Sequence, residues 1–277
     1  MLLHSGRTEC YLISRSLSAD DLSEDNDIRH RRVYSLALKV HMKRAAGGSL
    51  SQPGDRRRPG TGKRPGPLLN NALAAIKSFN AAGLEQTLNR ASTELSRPAF
   101  LQQTVAPLIE QIGIYWQNGQ IEAIQEHLAT AVIRTFLGNL LHTKAVGKNT
   151  PRIVFTTPRD ELHEMGALLA AVTADYQGWG AVYLGPSLPS DAIARAVRLS
   201  RARAVGLSIV YPEAPYGLEA ELKKLRILLP REVVLFIGGR AVPAYRSVLN
   251  EIEAIQLQDL SDFCAALDTL LGKQQHQ

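Results

Sequence analysis

Glu161-Leu162-His163-Glu164-Met165-Gly166 joins an apolar, β-branched run, Ile153-Val154-Phe155-Thr156-Thr157, to a helix that begins near Gly166 and runs through Ala167-Leu168-Leu169-Ala170-Ala171-Val172. A run of that composition reads as a buried strand. The loop that leaves its carboxyl end is where open α/β sheets bind ligands. His163 stands in that loop, and an imidazole there can donate one nitrogen to a transition metal. Its other ring nitrogen then needs an acceptor, for which Glu161, Glu164 and Asp160 are candidates. Taken alone, a loop histidine among acids is an ordinary solvated residue.

Outward from this loop, residues 151–277 alternate strand and helix. Apolar runs recur at 153–157, 181–185, 204–210, 233–237 and 254–257, with amphipathic segments between them and a last helix over 259–272. Such strands joined by helices predict a parallel sheet covered on both faces. Five βα units predict the flavodoxin-like order 2-1-3-4-5, which makes the first, third and fourth strands neighbours. Ser208-Ile209-Val210 and Gly238-Gly239 then end strands beside the His163 loop and leave a narrow slot. Glycine there permits close approach of a ligand to backbone.

Residues 68–147 carry helical periodicity instead. Leu68, Leu69, Ala72, Leu73, Ile76 and Phe79 form one stripe, and Leu84, Leu88 and Leu95 a second. Phe100, Val105, Leu108, Ile109, Ile112 and Trp116 form a third, and Ile124, Leu128, Val132, Phe136 and Leu140 a fourth. Short helices with short connections predict an antiparallel four-helix bundle. The fold class is therefore α plus α/β, a helical bundle followed by a five-stranded parallel sheet. Within the bundle, Trp116 ends one helix, Gly119 turns the chain, and Glu126-His127 lie on the next helix. An indole, a carboxylate and an imidazole can together line one wall of a pocket.

Residues 53–67 hold four Pro and four Gly among charges and read as a flexible linker. Gly60-Thr61-Gly62-Lys63 is no phosphate loop, because no strand precedes it and Arg64 replaces the hydroxyl that would hold magnesium. Residues 1–52 form a basic region with helical spacing at Val33, Leu36, Ala37 and Val40. Residues 1–67 hold 13 Lys and Arg against 7 Asp and Glu, and so carry the whole net charge of +6. A basic end on a neutral body suits a polyanion such as DNA, or serves only as a solubilising tail. No apolar run approaches the roughly 20 residues of a membrane span, and the start has no signal-peptide core. The two cysteines, Cys10 and Cys264, lie far apart and form neither a disulfide framework nor a metal pair. A reduced, cytoplasmic protein is expected.

Taken together, these motifs carry a family resemblance. Glu161-x-His163-x-x-Gly166, then Gly178-Trp179, Leu184-Gly185-Pro186, Ser208-x-Val210 and Gly238-Gly239, resembles cobalamin-binding domains, whose usual motif opens with Asp where this chain has Glu161. Trp116-x9-Glu126-His127 resembles the helical cap of light-responsive, adenosylcobalamin-dependent repressors of the MerR class (the CarH/LitR type). The likeness covers about residues 68–270. Residues 28–52 resemble the later half of a MerR-type DNA-binding domain, whose opening helix-turn-helix is not recognisable here.

The resemblance implies a cobalamin-binding transcriptional regulator rather than an enzyme. Its cofactor is cobalamin, with adenosylcobalamin ahead of methylcobalamin. It binds base-off, with His163 as the cobalt ligand on the lower face and Glu161, Leu162, Glu164, Met165 and Gly166 around it. The nucleotide tail enters the slot beside Ser208, Val210, Gly238 and Gly239. Trp116, Glu126 and His127 close over the upper ligand. Partners implied are DNA and further copies of the chain, as a tetramer, with no membrane. Gln117 stands where the light-responsive repressors usually place a histidine, and it is a poor cobalt donor. The competing reading is a corrinoid carrier subunit of a methyltransferase system, which shares the bundle, the sheet and the axial histidine. A mutase is disfavoured because the chain has no substrate barrel.

Overall fold

The computed structural model of the chain describes residues 66–141, 147, 149–210 and 217–272. The basic region 1–52, nearly all of the expected linker and Cys10 lie outside the described residues. The linker expectation extends one residue too far, because Pro67 is the first residue of helix α1, Pro67–Lys77. Proline suits that position, since its missing N–H is one that a first helical turn leaves unbonded anyway.

Helix α2, Ala81–Glu94, is capped by Asn80, whose side chain accepts from the Gly83 N–H at 2.9 Å. The third apolar stripe is not one regular helix. It is α3, Arg97–Phe100, then a π-turn over Leu101–Val105, then α4, Ala106–Gln117. Pro107 accounts for the break, because it cannot donate to the turn before it and its ring crowds that turn. The five-residue step from Phe100 to Val105 marks the same irregularity in the sequence. Helix α5, Ala123–Leu140, opens with a capping box between Glu122 and Gln125. The Gln125 amide also donates to the Lys77 carbonyl at 2.7 Å, tying the start of α5 to the end of α1. Leu73, Ile76, Leu84, Leu88, Phe100, Leu108, Ile133 and Leu137 fill the space between these helices.

The α/β part runs β1 Arg152–Thr156, α6 Met165–Tyr176, β2 Gly180–Tyr183, α7 Ser190–Ser200 and β3 Ala204–Ser208. It continues through α8 Leu218–Leu228, β4 Val234–Gly238, a 3-10 turn Val242–Tyr245, α9 Arg246–Glu251, β5 Ile255–Gln256 and α10 Leu260–Gly272. All pairings are parallel and the order is β2-β1-β3-β4-β5, as the alternation predicts. Four strands end a residue or two before their apolar runs do, and β4 runs one residue past its own. Leu184-Gly185 and Ile209-Val210 leave the ladder and enter the loops at the carboxyl rim.

One face of the sheet is covered by α7, α8 and α9 through Ile193, Val197, Leu222, Leu225 and Leu249. The other is covered by α6 and α10, where Phe263 meets Phe155 and Phe236 edge-on at 6.0 and 5.6 Å between ring centroids. Helix α6 has a second apolar side. Leu168, Leu169 and Val172 belong to the same buried cluster as the bundle core. Such a helix is apolar all round because it is buried all round.

Candidate functional site

The loop after β1 is tied down before it reaches His163. The Thr156 hydroxyl donates to the Gly185 carbonyl at 2.7 Å, and the Ser187 N–H donates to the Thr157 hydroxyl at 2.8 Å. The Thr157 hydroxyl in turn donates to the Glu161 carbonyl. Asp160 takes a left-handed backbone with φ 65°, and its N–H donates to the Ser187 hydroxyl at 3.0 Å. Of the three acids offered for His163, Asp160 thus enters the site through its backbone.

Glu161 takes the imidazole. Its Oε1 lies 2.6 Å from His163 Nδ1 and accepts from the His163 backbone N–H at 2.9 Å. Its Oε2 accepts from the Val210 N–H at 2.9 Å, which links the loop after β1 to the end of β3. Burial alone would push this carboxyl up. The hydrogen bonds from the His163 ring, the His163 N–H and the Val210 N–H outweigh it and hold the group below the usual carboxylate range. A carboxylate on Nδ1 sets the imidazole proton there and puts the lone pair on Nε2. Glu161 itself is 7% exposed, whereas the His163 side chain is 41% exposed at the carboxyl rim of the sheet.

Glu164 serves a different purpose. It is buried, and it accepts from Arg134 Nε of α5 and from the Tyr183 hydroxyl at the end of β2. Burial and then the Glu164 carboxylate push the Tyr183 phenol far up. Arg134 and Tyr183 did not stand out in the sequence. The available signal is a lone arginine in the otherwise apolar middle of α5.

Gly166 and Ser208 meet directly. A Cβ on Gly166 would fall 2.6 Å from the Ser208 hydroxyl, so the glycine lets α6 start against the end of β3. Ser208 is buried beneath that contact and does not line an open slot as expected. Val210 and Gly238 are half-buried at the rim, and Gly239 is exposed. Leu162, 69% exposed, stands beside His163, while Met165 packs against the bundle core.

On the bundle, Trp116 is half-buried against the helical core. Glu126 Oε2 lies 2.5 Å from His127 Nδ1, and its Oε1 accepts from the Thr130 hydroxyl at 2.7 Å. The His127 side chain is 81% exposed. With its amide oxygen turned to the guanidinium, Gln117 accepts from Arg240 Nη1 at 2.9 Å and Nη2 at 3.1 Å. The end of α4 therefore reaches the residue after Gly238-Gly239, so the bundle stands over the carboxyl ends of the strands.

Comparison with known proteins bears on the bundle and on the fold. Residues 68–141 match the B12 binding domain family. The chain is similar to cobalamin-binding, CarH-like regulators. It is 29% identical over 191 residues to the HTH-type transcriptional repressor CarH of Myxococcus xanthus, a span of 69% of this chain and 64% of that one. Identity to CarA of the same organism, also an HTH-type transcriptional repressor, is 28% over 167 residues, 60% of this chain and 56% of that one. The chain thus spans less than two thirds of either repressor. In fold it resembles the monomethylamine corrinoid protein of Methanosarcina barkeri, with a TM-score of 0.55 at 16% identity over 73% of this chain and 98% of that one. Among the described residues no helix is long and apolar enough to cross a membrane.

Proposed function

We propose that the chain is a cobalamin-binding transcriptional regulator, with the corrinoid held base-off at the carboxyl rim of the sheet and His163 as the protein's ligand to cobalt. One observation carries this reading: the Val210–Glu161–His163 relay, which orients an imidazole and fixes its proton away from Nε2. Among the described residues no three His, Cys, Asp or Glu side chains are grouped to hold a metal ion. A single oriented imidazole suits a metal that brings its own equatorial ligand. When bound, cobalamin would supply a cobalt centre for His163 to ligate and, in the adenosyl form, a photolabile cobalt–carbon bond.

The chain's residues divide the remaining work. Glu161 strengthens His163 as a donor, and Leu162 offers apolar surface beside it. Val210, Gly238 and Gly239 form the rim that would take the nucleotide tail, with Ser208 and Gly166 setting the spacing beneath. Residues 68–147 act as the cap. Trp116 supplies an aromatic face, and the Glu126–His127 pair supplies acceptor and donor groups for the hydroxyls of a 5′-deoxyadenosyl group, which a methyl ligand lacks. Gln117 and Arg240 bridge bundle and strand end beside this rim, and a corrinoid held between the two would have to replace that contact. Residues 1–52 would contact DNA, and through Trp116, Glu126 and His127 the assembly of chain copies would depend on which upper ligand is held.

The test is reconstitution with adenosylcobalamin in the dark, followed by desalting, absorption spectroscopy and size-exclusion chromatography before and after green light. A retained base-off, histidine-ligated spectrum that His163→Ala abolishes is expected. A colourless protein, or the same spectrum from His163→Ala, overturns the assignment. Methyl transfer from methylcobalamin to a thiol by way of a partner enzyme, with no duplex binding at low salt, would make the chain a corrinoid carrier instead.

A further inference from the structure

The amino rim of the sheet, at the far end from His163, carries an arginine cluster. Arg152 opens β1 and Arg203 immediately precedes β3. The two are neighbours across the ladder, with the Arg203 N–H donating to the Arg152 carbonyl at 2.8 Å. Adjacent strands stand roughly 4.8 Å apart, so the two guanidinium groups start from neighbouring positions. Arg198 lies in the last turn of α7, Arg201 caps it, and Arg231 precedes β4. All five are exposed.

Structural duties account for only part of the cluster. Arg198 complements the negative end of the α7 dipole. Arg152 Nη1 donates to the Ser200 carbonyl at 3.3 Å. By contrast, Arg226 shows what a structural arginine does here: it is partly buried and donates to the Val233, Leu229 and Pro230 carbonyls. Arg201, Arg203 and Arg231 make no side-chain hydrogen bond or ion pair among the described residues. Arg201 also holds a left-handed cap, φ 52°, where glycine is the unstrained choice. Acids share this rim: Glu232 adjoins Arg231 ahead of β4, Glu253 precedes β5, and the buried Asp175 lies near the end of α6 ahead of β2.

Residues 68–277 balance 19 Lys and Arg with 19 Asp and Glu, so the cluster is a local concentration on a neutral body. Every cation in it is arginine, whose planar fork meets phosphate oxygens in pairs. We infer that this rim is a second nucleic-acid contact, gripping the phosphate backbone of a duplex without reading its sequence. It rests on the reading that the chain binds DNA, and it adds a contact made by the α/β part rather than by the basic region. Two linked contacts raise avidity even when each is weak.

The experiment titrates the full chain into a mixed-sequence duplex across a salt series by fluorescence anisotropy. The variant Arg152→Gln/Arg201→Gln/Arg203→Gln/Arg231→Gln should bind roughly tenfold or more weakly. Its slope of log affinity against log salt should flatten by about 0.9 for each phosphate that the rim no longer neutralises. The same four positions changed to Lys should keep most of the slope, since charge is retained. Arg201→Gln/Arg231→Gln removes no hydrogen bond seen here and should show part of the weakening with unchanged melting. Wild-type affinity and slope in both Gln variants overturn the inference while leaving DNA binding by the basic region intact. No duplex binding by the wild-type chain at low salt overturns the DNA reading as well. Loss of binding to acidic-phospholipid vesicles, with duplex binding unchanged, overturns the inference in favour of a lipid surface.

Discussion

Two carboxylates three positions apart, Glu161 and Glu164, are equivalent in the sequence and opposite in use. Glu161 collects the His163 ring, the His163 N–H and the Val210 N–H, while Glu164 turns to Arg134 and Tyr183. The choice depends on loop backbone set by the Thr157 and Ser187 hydrogen bonds, so spacing alone leaves all three acids open. Because the folded-state pKa of Glu161 is lowered, the unfolded chain binds more protons as pH enters the carboxylate range. The stabilisation is fully present above that range and is lost as pH falls through the folded-state value. In urea titrations of the cobalamin-free protein, Glu161→Gln should cost about 1–3 kcal/mol near neutral pH. The deficit should shrink on acidification. A deficit that stays constant with pH would show that the carboxylate charge contributes nothing.

At the scale of elements, the end of β4 separates two residues that a motif treats as a pair. A Cβ on Gly238 would meet only Leu257 Cβ at 3.7 Å, an ordinary contact. On Gly239 it would fall 2.2 Å from the Ile209 carbonyl oxygen, at φ 108°. That closeness reflects the crossing of the β3 and β4 exits, where the Ile209 N–H donates to the Gly238 carbonyl at 2.9 Å and the Ala241 N–H returns to Ile209 at 3.1 Å. Gly239→Ala should therefore cost about 2–4 kcal/mol from strain and overlap. Gly238→Ala should stay within about 1 kcal/mol. Equal melting temperatures for the two variants would contradict this. Glycine at this corner thus serves the fold first. The π-turn before α4 has the same origin, because the stripe from Phe100 to Trp116 reads as one helix until Pro107 has to be fitted into it.

For the whole molecule, the coupling of bundle and sheet decides behaviour. Leu168, Leu169 and Val172 of α6 share a core with Leu84, Leu88 and Leu137 of the bundle, and the polar pairs Arg134–Glu164 and Gln117–Arg240 cross the same seam. Residues 66–272 should unfold in one transition by calorimetry. Leu168→Ala, with 1% exposure in the native residue, should lower it by about 2–5 kcal/mol. Two separate transitions, with only one displaced by the substitution, would show that the two parts fold independently.

The sequence by itself determined the order of elements, the parallel sheet and its strand order, because continuous apolar runs alternating with period-3.6 stripes depend on neighbours along the chain. It also placed His163 at the carboxyl rim, since topology puts every βα loop there. Only the tertiary structure decided which acid holds the imidazole, that Ser208 is buried under Gly166, and that Arg134, Tyr183, Gln117 and Arg240 join bundle to sheet. Glu161 and His163 are close in the chain, but the loop that joins them is fixed by Ser187 and Val210, and the other pairings link residues far apart. Their partners are fixed by how helices seat on a sheet, which no local pattern encodes.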